Sequence, residues 1–414
     1  MDSPVSEAML IDGFGPLPVR RPATVAELCG LVREAAAAGQ AIYPVGGGTT
    51  LDLGLPPTKA GFAVSILGLA AVEDYPARDM TITAGAGITI AAVQAALAKE
   101  RQYLPIDVPH PERTTLGGAI AANLSGPRRL GHGTFRDAVI GIRFVTDDGV
   151  EVKGGGRVVK NVAGYDLMKL QTGALGTLGI ITQVTLKVKP RPESQAFVAF
   201  GINTAAIGPT LDRLHASAAR PIAIELLNAV AARALSAGGP MLPAHEPWVI
   251  ICGFEEKATT VAWQVATLLD ELKSTPARDA IELRNDALWA ALAQLKDRGE
   301  EYVRLRAAVV PSATSQVATA AAAAHPDAIV HAHAGNGVIH IHLPVDPTPE
   351  RLSAIVVELT KRTTEGNGSL IVRRCPPAWK SQLPIWGRDR GDRELMRTVK
   401  ASLDPNGVFN PGRI

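Results

Sequence analysis

The amino-acid sequence predicts an α+β protein of two domains followed by a short C-terminal segment. Its 414 residues are 46% apolar, which is enough for two hydrophobic cores. The first half concentrates glycines beside short strands, whereas from about residue 196 strand-like runs alternate with alanine-rich helices. Strands interleaved with helices are typical of a layered α+β domain. We therefore place the domains at 1–195 and 196–375 and the C-terminal segment at 376–414.

Charge, cysteine spacing and hydropathy exclude several classes of protein. The net charge is +2 and there is no basic block, so nucleic-acid binding has little support. Cys29, Cys252 and Cys375 lie far apart, which argues against an iron–sulfur cluster, a structural zinc or a disulfide framework within the chain. The sequence shows no signal peptide and no apolar run as long as a spanning helix. We expect a cytoplasmic protein, with peripheral attachment to the inner membrane through partner chains left open.

The first predicted elements are a capped helix, a short strand and a glycine loop. Thr24 and Glu27 form a capping box for a helix over 24–38, and a strand follows over 41–45. The loop G-G-G-T-T at 46–50 comes next, and the prolines behind it prevent a helix. A Walker loop or a Rossmann fingerprint would need that helix. We interpret the loop as a nest of N–H groups for a diphosphate, with a plain surface loop as the alternative.

Two further glycine-rich segments lie in the first half. Residues 105–136 are rich in Gly, Pro, Ser and Thr, and the small side chains at 119–123 suggest backbone packed against a ligand. Residues 154–190 begin with three glycines, carry three more between 173 and 179, and end in an alternating strand. Glycines at this density allow the backbone to approach a flat or bulky group, although a glycine-rich turn is the ordinary alternative.

The second half predicts strands and helices in alternation. The strand-like runs are 197–202, 222–227, 248–254 and 303–310. The alanine-rich helices are predicted at 205–218, 257–273, 287–296 and 315–324.

The most chemically loaded segment is H-A-H-A-G-N-G-V-I-H-I-H at 331–342. Its glycine turn predicts a hairpin, and period-two alternation places His331 with His333 on one face and His340 with His342 on one face. We expect the facing strands to bring His333 and His340 together. Imidazoles suit divalent metals, but histidines satisfied inside a hairpin are the commoner outcome.

Several motifs together resemble one flavoprotein family. Five motifs carry the resemblance: V-G-G-G-T-T, T-T-L-G-G-A-I-A-A-N, G-H-G-T-F-R-D, K-N-V-A-G-Y-D-L-M-K-L and G-A-L-G-T-L-G-I-I-T. In their order and spacing, the chain is similar to the FAD domain of vanillyl-alcohol-oxidase / p-cresol-methylhydroxylase-type (PCMH-type) flavoproteins. The closing D-P-N-G-V-F-N-P-G-R resembles that family's C-terminus. The resemblance implies a two-subdomain PCMH-type FAD-binding domain, then an α+β cap of antiparallel sheet with helices. It also implies a C-terminal helix and tail that pack back on the FAD domain.

The resemblance also implies which residues bind FAD. Those at the matching positions are Val45, Gly46, Gly47, Gly48, Thr49, Thr50, Pro109, Thr114, Thr115, Gly117, Gly118, Ala121, Asn123, Gly179 and Ile181. Some relatives attach FAD covalently through a histidine. The motifs around His110 and His132 resemble the non-covalent branch instead. We therefore expect non-covalent FAD.

One departure from the family concerns a metal. In the related 2-hydroxy-acid dehydrogenases, the pattern H-x-G-x-G-x-x-H supplies two metal ligands and a downstream glutamate the third. Here His333 and His340 match the histidines, but Arg373 stands where the glutamate is expected. Because an arginine repels a metal ion, we predict no metal. A carboxylate-binding patch of His333, His340 and Arg373 is one alternative, and buried structural histidines are another.

The amino-acid sequence at 124–129 and 154–170 is similar to that of the FAD-binding subunits of bacterial glycolate oxidases. That resemblance implies hydride transfer from glycolate to flavin, with His333 or His340 as base and Arg373 or Arg374 as carboxylate anchor. It also implies a larger catalytic flavin subunit and an iron–sulfur subunit as partners. The alternatives are a structural electron-relay subunit, which the arginine favours, and a self-sufficient oxidase of another 2-hydroxy acid such as D-lactate.

Overall fold

A computed structural model describes residues 8–156, 165–237, 240–243, 245–297, 299–345, 348–389 and 391–414. They form two compact units. The described parts of 8–124, 134–191 and 389–414 make up the first unit, and those of 125–133 and 192–388 the second. The K-N-V-A-G part of the predicted motif at 160–170 lies outside the described residues. The domain limits predicted from the sequence stay predictions.

The first unit combines three sets of paired strands with short helices. Its strands are β1 (Ala8–Ile11), β2 (Phe14–Arg20), β3 (Ala41–Val45), β4 (Gly61–Ser65), β5 (Val72–Asp74), β6 (Thr81–Gly85), β7 (Gln102–Tyr103), β8 (Val139–Val145), β9 (Glu151–Gly155), β10 (Ile180–Lys187) and β11 (Lys189–Pro190). Its helices are α1 (Val25–Ala37), α2 (Ile90–Ala98), α3 (Leu116–Ala121), α5 (Phe135–Ala138), α6 (Leu167–Gln171) and α13 (Asp392–Leu403). The strand orders among the described residues are β1-β2-β4-β3, β5-β6-β10-β8-β9 and β11-β7.

Threonine side chains cap α1, which the sequence predicts, and α3, which it does not. The Thr24 hydroxyl accepts a hydrogen bond from the Glu27 amide at 3.2 Å, and α1 then buries Leu28 and Val32. Thr115 caps α3 in the same way, because its hydroxyl accepts from the Gly118 amide. The predicted helix over 24–38 and strand over 41–45 are therefore confirmed to within a residue.

The C-terminal tail runs beside β3. The Ile42 amide donates to the Val408 carbonyl at 2.7 Å, and the Asn410 amide donates to the Ile42 carbonyl at 3.0 Å. The Asp404 carboxylate accepts from the amides of Val408 and Phe409, both at 2.8 Å. These bonds satisfy the backbone of a segment that has no repeating structure of its own.

The second unit is one antiparallel sheet with helices. Its strands are β12 (Ser194–Ile202), β13 (Ala223–Asn228), β14 (Trp248–Glu256), β15 (Arg278–Leu283), β16 (Tyr302–Ala308), β17 (Ile329–His333), β18 (Val338–Pro344) and β19 (Ser369–Arg374). Its helices are α4 (Arg129–His132), α7 (Ile207–Ala216), α8 (Ala229–Ser236), α9 (Ala258–Leu272), α10 (Ala287–Gln294), α11 (Thr314–Ala323) and α12 (Pro349–Glu365). The strand order is β15-β12-β14-β13-β17-β18-β16-β19. Short 3-10 helices in the chain lie at 77–79, 204–206, 311–313, 334–336 and 377–382.

The register of the central strands gathers polar residues on one face of this sheet. His331 on β17 is directly opposite His340 on β18, and His340 is opposite Arg306 on β16. Glu225 on β13 is opposite His333 on β17. Directly opposite residues of an antiparallel pair share a face, and so do residues two apart. Residues that the sequence separates by more than a hundred positions therefore lie on one face of the sheet.

The predicted hairpin is present and brings His333 and His340 together, as expected. The 3-10 turn Ala334–Asn336 and Gly337 join β17 to β18. Gly337 has φ +68°, and a Cβ there would lie 2.0 Å from the Val309 carbonyl oxygen, so only glycine fits. The rings of His333 and His340 have centroids 5.2 Å apart, although the residue directly opposite His340 in the register is His331.

Candidate functional site

The first unit contains a cavity of about 840 Å³, part of it open to solvent. Its walls come from the loop after β3, the segment around α3, the start of β10 and the C-terminal tail. The lining residues are Ile11, Pro44, Gly46, Gly47, Gly48, Thr49, Thr50, Leu51, Leu53, Ile66, Thr115, Gly117, Gly118, Ala121, Ala122, Leu175, Gly176, Gly179, Ile180, Ile181, Asn410 and Arg413.

The glycine loop at 46–48 packs directly against the segment that precedes α3. A Cβ on Gly46 would lie 2.0 Å from the Thr115 Oγ1 atom, and a Cβ on Gly47 would lie 1.6 Å from the Arg113 carbonyl oxygen. The Thr114 hydroxyl donates to the Pro109 carbonyl at 2.8 Å, and its oxygen accepts from the Thr49 hydroxyl at 3.2 Å. Two chain segments can come this close only because the loop carries no side chains.

The tail completes the cavity wall. The Asn410 Nδ2 atom donates to the Leu175 carbonyl at 2.7 Å, next to Gly176. The Arg413 guanidinium bonds to the Asp12 carboxylate at 3.2 Å and to the carbonyls of Leu51, Leu53 and Leu55. One buried arginine thus ties the tail to β1 and to the loop that follows the glycines.

The second unit carries a buried cluster of Glu225, His331 and His333. The His331 Nε2 atom lies 2.5 Å from the Glu225 Oε2 atom. The His333 Nδ1 atom lies 2.8 Å and 3.0 Å from the two oxygens of the same carboxyl group. All three side chains are at most 1% exposed. One carboxyl group therefore accepts hydrogen bonds from two imidazoles.

Burial and hydrogen bonds set the protonation of this cluster. Burial alone would raise the pKa of Glu225, but His333 and the hydrogen bonds from both imidazoles lower this pKa to about 2. Burial lowers the pKa of His333 to about 4, although Glu225 opposes this effect. Near neutral pH the carboxyl group is therefore ionised and His333 is neutral.

The same sheet face also carries the cationic Arg306 and the imidazole of His340. Burial, together with the charges of Arg373 and Arg129, lowers the pKa of Arg306 to about 10, so it stays cationic near neutral pH. Burial, followed by the charges of His333, Lys296, His331 and Arg306, lowers the pKa of His340 well below its usual value. The rings of His333 and His340 are edge to face, with centroids 5.2 Å apart. This sheet face suits an anion beside a neutral imidazole.

Two family descriptions match the chain. The family described as FAD binding domain matches residues 16–155. The family described as FAD linked oxidases, C-terminal domain, matches residues 189–372 and 385–414, more than half of the chain. The protein belongs to the FAD-linked oxidases. It is an FAD-dependent oxidoreductase with the α+β PCMH-type fold, and FAD is its cofactor.

Named relatives of this FAD-linked oxidase are enzymes or enzyme subunits. It is 27% identical to glycolate oxidase subunit GlcD of Bacillus subtilis over 90% of this chain and 83% of that protein. It is 41% identical to glycolate oxidase subunit GlcE of Escherichia coli, over only 34% of this chain and 40% of that protein. It is 27% identical to D-2-hydroxyglutarate dehydrogenase of Xanthomonas citri over 96% of this chain and 89% of that protein. A solved alkyldihydroxyacetonephosphate synthase shares the fold, with TM-score 0.68 and 19% identity over 96% of this chain and 77% of that one.

The cavity of the first unit fits FAD. A diphosphate could bind to the backbone N–H groups of Gly46, Gly47 and Gly48 and to the hydroxyls of Thr49 and Thr50. Ile180 and Ile181 form an apolar part of the cavity wall. Of the residues predicted from the resemblance, the lining includes Gly46, Gly47, Gly48, Thr49, Thr50, Thr115, Gly117, Gly118, Ala121, Gly179 and Ile181. It does not include Val45, Pro109, Thr114 or Asn123, although Thr114 hydrogen-bonds to Thr49. Direct contacts of these residues with FAD stay predictions.

Sequence reasoning missed two parts of this FAD-linked oxidase. Glu225 was not named, although a lone acid inside the apolar run P-I-A-I-E-L-L-N signals a buried functional group. Asn410 and Arg413 were noticed only as part of a closing motif, and not as lining residues. Motifs within one segment indicate neither feature, because both depend on contacts between distant segments.

The ligand atoms of Glu225, His331 and His333 lie within 4.8 Å of one another, close enough for a metal. Their spacing nevertheless suits hydrogen bonds better. The nitrogen–oxygen distances are 2.5 Å and 2.8 Å, whereas two tetrahedral ligands of one zinc ion lie about 3.3 Å apart. The positive charge of Arg373 also acts on Arg306, which lies on this sheet face, and a metal ion there would meet the same repulsion. That the protein holds no metal stays a prediction.

Proposed function

We propose that this FAD-linked oxidase oxidises a small 2-hydroxy acid, with glycolate as the first candidate. The names of its relatives support the substrate class, because they include glycolate oxidase subunits and a 2-hydroxyglutarate dehydrogenase. The observation that carries the proposal is the buried neutral His333 on a cationic sheet face. To oxidise a 2-hydroxy acid, an enzyme needs a cation that binds the carboxylate and a base that accepts the hydroxyl proton.

The roles of the residues follow from their charge. Arg306 and Arg373 bind the substrate carboxylate, and a guanidinium can hold it through two parallel hydrogen bonds. His333 accepts the hydroxyl proton at Nε2, and His340 beside it is the second candidate for that role. When bound, FAD would supply the acceptor for a hydride from the α-carbon. Burial of His333 excludes water from the base.

We further propose that the chain is the FAD-binding subunit of a glycolate oxidase complex. It would work with a larger flavin subunit and an iron–sulfur subunit, which remove the electrons. The 41% match to GlcE supports this assignment, although it covers a third of the chain. Among the described residues no helix combines the length and apolar character needed to cross a membrane. Membrane association would then come through the partners.

A structural electron-relay subunit is the second candidate, because Arg373 stands where the related dehydrogenases have a glutamate. Anaerobic mixing of the purified chain with glycolate or D-lactate separates the candidates. Bleaching of the flavin band within one turnover supports catalysis by this chain and excludes the relay. Bleaching only after partner chains are added excludes a self-sufficient oxidase. Absence of bleaching in both cases, with FAD bound, would contradict the proposed substrate class.

We propose that FAD is bound non-covalently. Acid precipitation should leave the yellow colour in the supernatant. Colour that stays with the protein pellet would overturn this assignment. Purification of the native protein from its source, followed by mass spectrometry of the co-purified chains, tests the complex.

A further inference from the structure

Glu225 has no part in the roles assigned above. We propose that it is a positioning residue, which holds His331 and His333 each in one tautomer and leaves Nε2 of His333 free to accept the substrate proton. The inference rests on the proposed function, because it explains how His333 becomes the base. It adds a residue that neither the motifs nor the names of the relatives point to.

The tautomer of His333 follows from hydrogen-bond chemistry. An ionised carboxylate only accepts hydrogen bonds, so the Nδ1 atom, 2.8 Å and 3.0 Å from its oxygens, must carry the proton. A neutral imidazole has a single N–H. The Nε2 atom therefore carries the lone pair, and a base needs that lone pair.

The second imidazole is fixed by the same carboxyl group through its other nitrogen. The His331 Nε2 atom lies 2.5 Å from Oε2 of Glu225, so this nitrogen donates to the ionised carboxylate. The two rings lie edge to face, with centroids 5.0 Å apart. A carboxylate accepts from both rings at once, whereas an amide could accept from one but would offer its own N–H groups to the other.

The free nitrogens point to a ligand. Nε2 of His333 and Nδ1 of His331 are buried and have no hydrogen-bond partner among the described residues. Buried polar atoms of native proteins are rarely left without a partner. The hydroxyl group of a bound substrate would supply the missing donor for Nε2 of His333. A purely structural cluster gives no reason to leave that nitrogen unsatisfied.

Glu225 also supplies the negative charge that a protonated His333 needs. The other charged groups that act on His333 and the adjacent His340 are His331 on β17, Lys296 after α10 and Arg306 on β16. All of these are cationic or neutral. When His333 accepts a proton, Glu225 is therefore the acid that stabilises the resulting imidazolium. Loss of this charge should make His333 a weaker base.

The test compares Glu225→Gln with Glu255→Gln in the full chain, with partner subunits if turnover needs them. Glu255 is a matched control, because it is a buried glutamate on the neighbouring strand β14 and bonds to Arg128 at 2.9 Å and to His132. We expect Glu225→Gln to lower kcat about 100-fold with little change in KM or FAD content. Glu225→Asp should restore part of the rate, and Glu255→Gln should change kcat less than about threefold.

The pH profile separates positioning from a structural role. A base must be deprotonated, so kcat/KM falls as pH falls through the pKa of His333. Because Glu225→Gln removes a stabilising negative charge, this acidic limb should move to lower pH. A rate that falls only in proportion to the folded fraction, with the limb unmoved, would overturn the proposal.

Nitrogen NMR tests the tautomers without any turnover. In protein labelled with ¹⁵N-histidine and assigned with His333→Asn, the wild type should show His333 protonated at Nδ1 only, and Glu225→Gln should change this pattern. A His333 protonated at Nε2 in the wild type would refute the inference. If no 2-hydroxy acid reduces the flavin but the NMR result is as expected, the proposed function fails while the positioning by Glu225 stands.

Discussion

Replacement of Gly47 by alanine is the sharpest test of the flavin cavity. The Cβ atom would lie 1.6 Å from the carbonyl oxygen of Arg113 and 2.6 Å from its carbonyl carbon. Both are backbone atoms, so no rotamer change can relieve the clash. The loop and the segment at 113–115 must move apart by more than about 1 Å, since non-bonded carbon–oxygen contacts are rarely closer than about 3 Å.

The size of the effect follows from the cost of overpacking. An inserted methyl group in a well-packed site costs about 1–3 kcal/mol, and a backbone clash belongs at the upper end. About 3 kcal/mol corresponds to FAD binding weakened roughly 100-fold. The movement also displaces Thr49 from its hydrogen bond with Thr114, on the wall of the same cavity. We therefore expect purified Gly47→Ala to lose most of its flavin.

The assay is the ratio of flavin absorbance to protein absorbance, followed by titration of the apoprotein with FAD. Gly30→Ala is the matched control, because Gly30 lies in α1 and a Cβ there has no neighbour within 4 Å. Alanine in that helix should leave FAD binding unchanged and raise stability slightly. A folded Gly47→Ala protein that binds FAD with wild-type affinity would refute the placement of the loop against 113–115.

Three further predictions concern the second unit. Arg306→Met should raise KM for a 2-hydroxy acid at least about tenfold, and Arg306→Lys less, because the guanidinium binds the carboxylate; an unchanged KM in steady-state kinetics would contradict that role. The free energy of unfolding should fall between pH 6.5 and pH 4, by about 3 kcal/mol from His333 alone, since its pKa is about 4 when folded and the unfolded chain takes up its proton earlier. The lowered pKa of His340 adds to this loss. In urea titrations His333→Asn should show a smaller loss over that interval, and an equal loss would assign it to other groups. Treatment with a chelator should leave flavin reduction unchanged, whereas near-stoichiometric zinc or manganese in purified protein would show that the cluster holds a metal.

Much of the flavin cavity could be predicted from the sequence, because its loops are built from local signals. Three glycines after a strand, the small side chains at 119–123 and a closing N-P-G-R motif are each readable within a few residues. Their order along the chain matched a known family. Such local signals do not predict that Gly47 lies against Arg113, or that Asn410 and Arg413 line the cavity. Both features join segments that are far apart in the sequence.

For the histidine cluster, the sequence determined less and the tertiary structure determined more. The alternation in H-A-H-A-G-N-G-V-I-H-I-H by itself determined a hairpin with two histidines on each strand facing one way, since strand periodicity is a local property. The register across strands decided the rest, and it depends on pairing between β13, β17, β18 and β16. Only that pairing placed Glu225 beside His331 and His333 and set Arg306 opposite His340. Burial in the folded sheet then made the carboxyl group ionised and His333 neutral, because the energy of a charge depends on its surroundings in space.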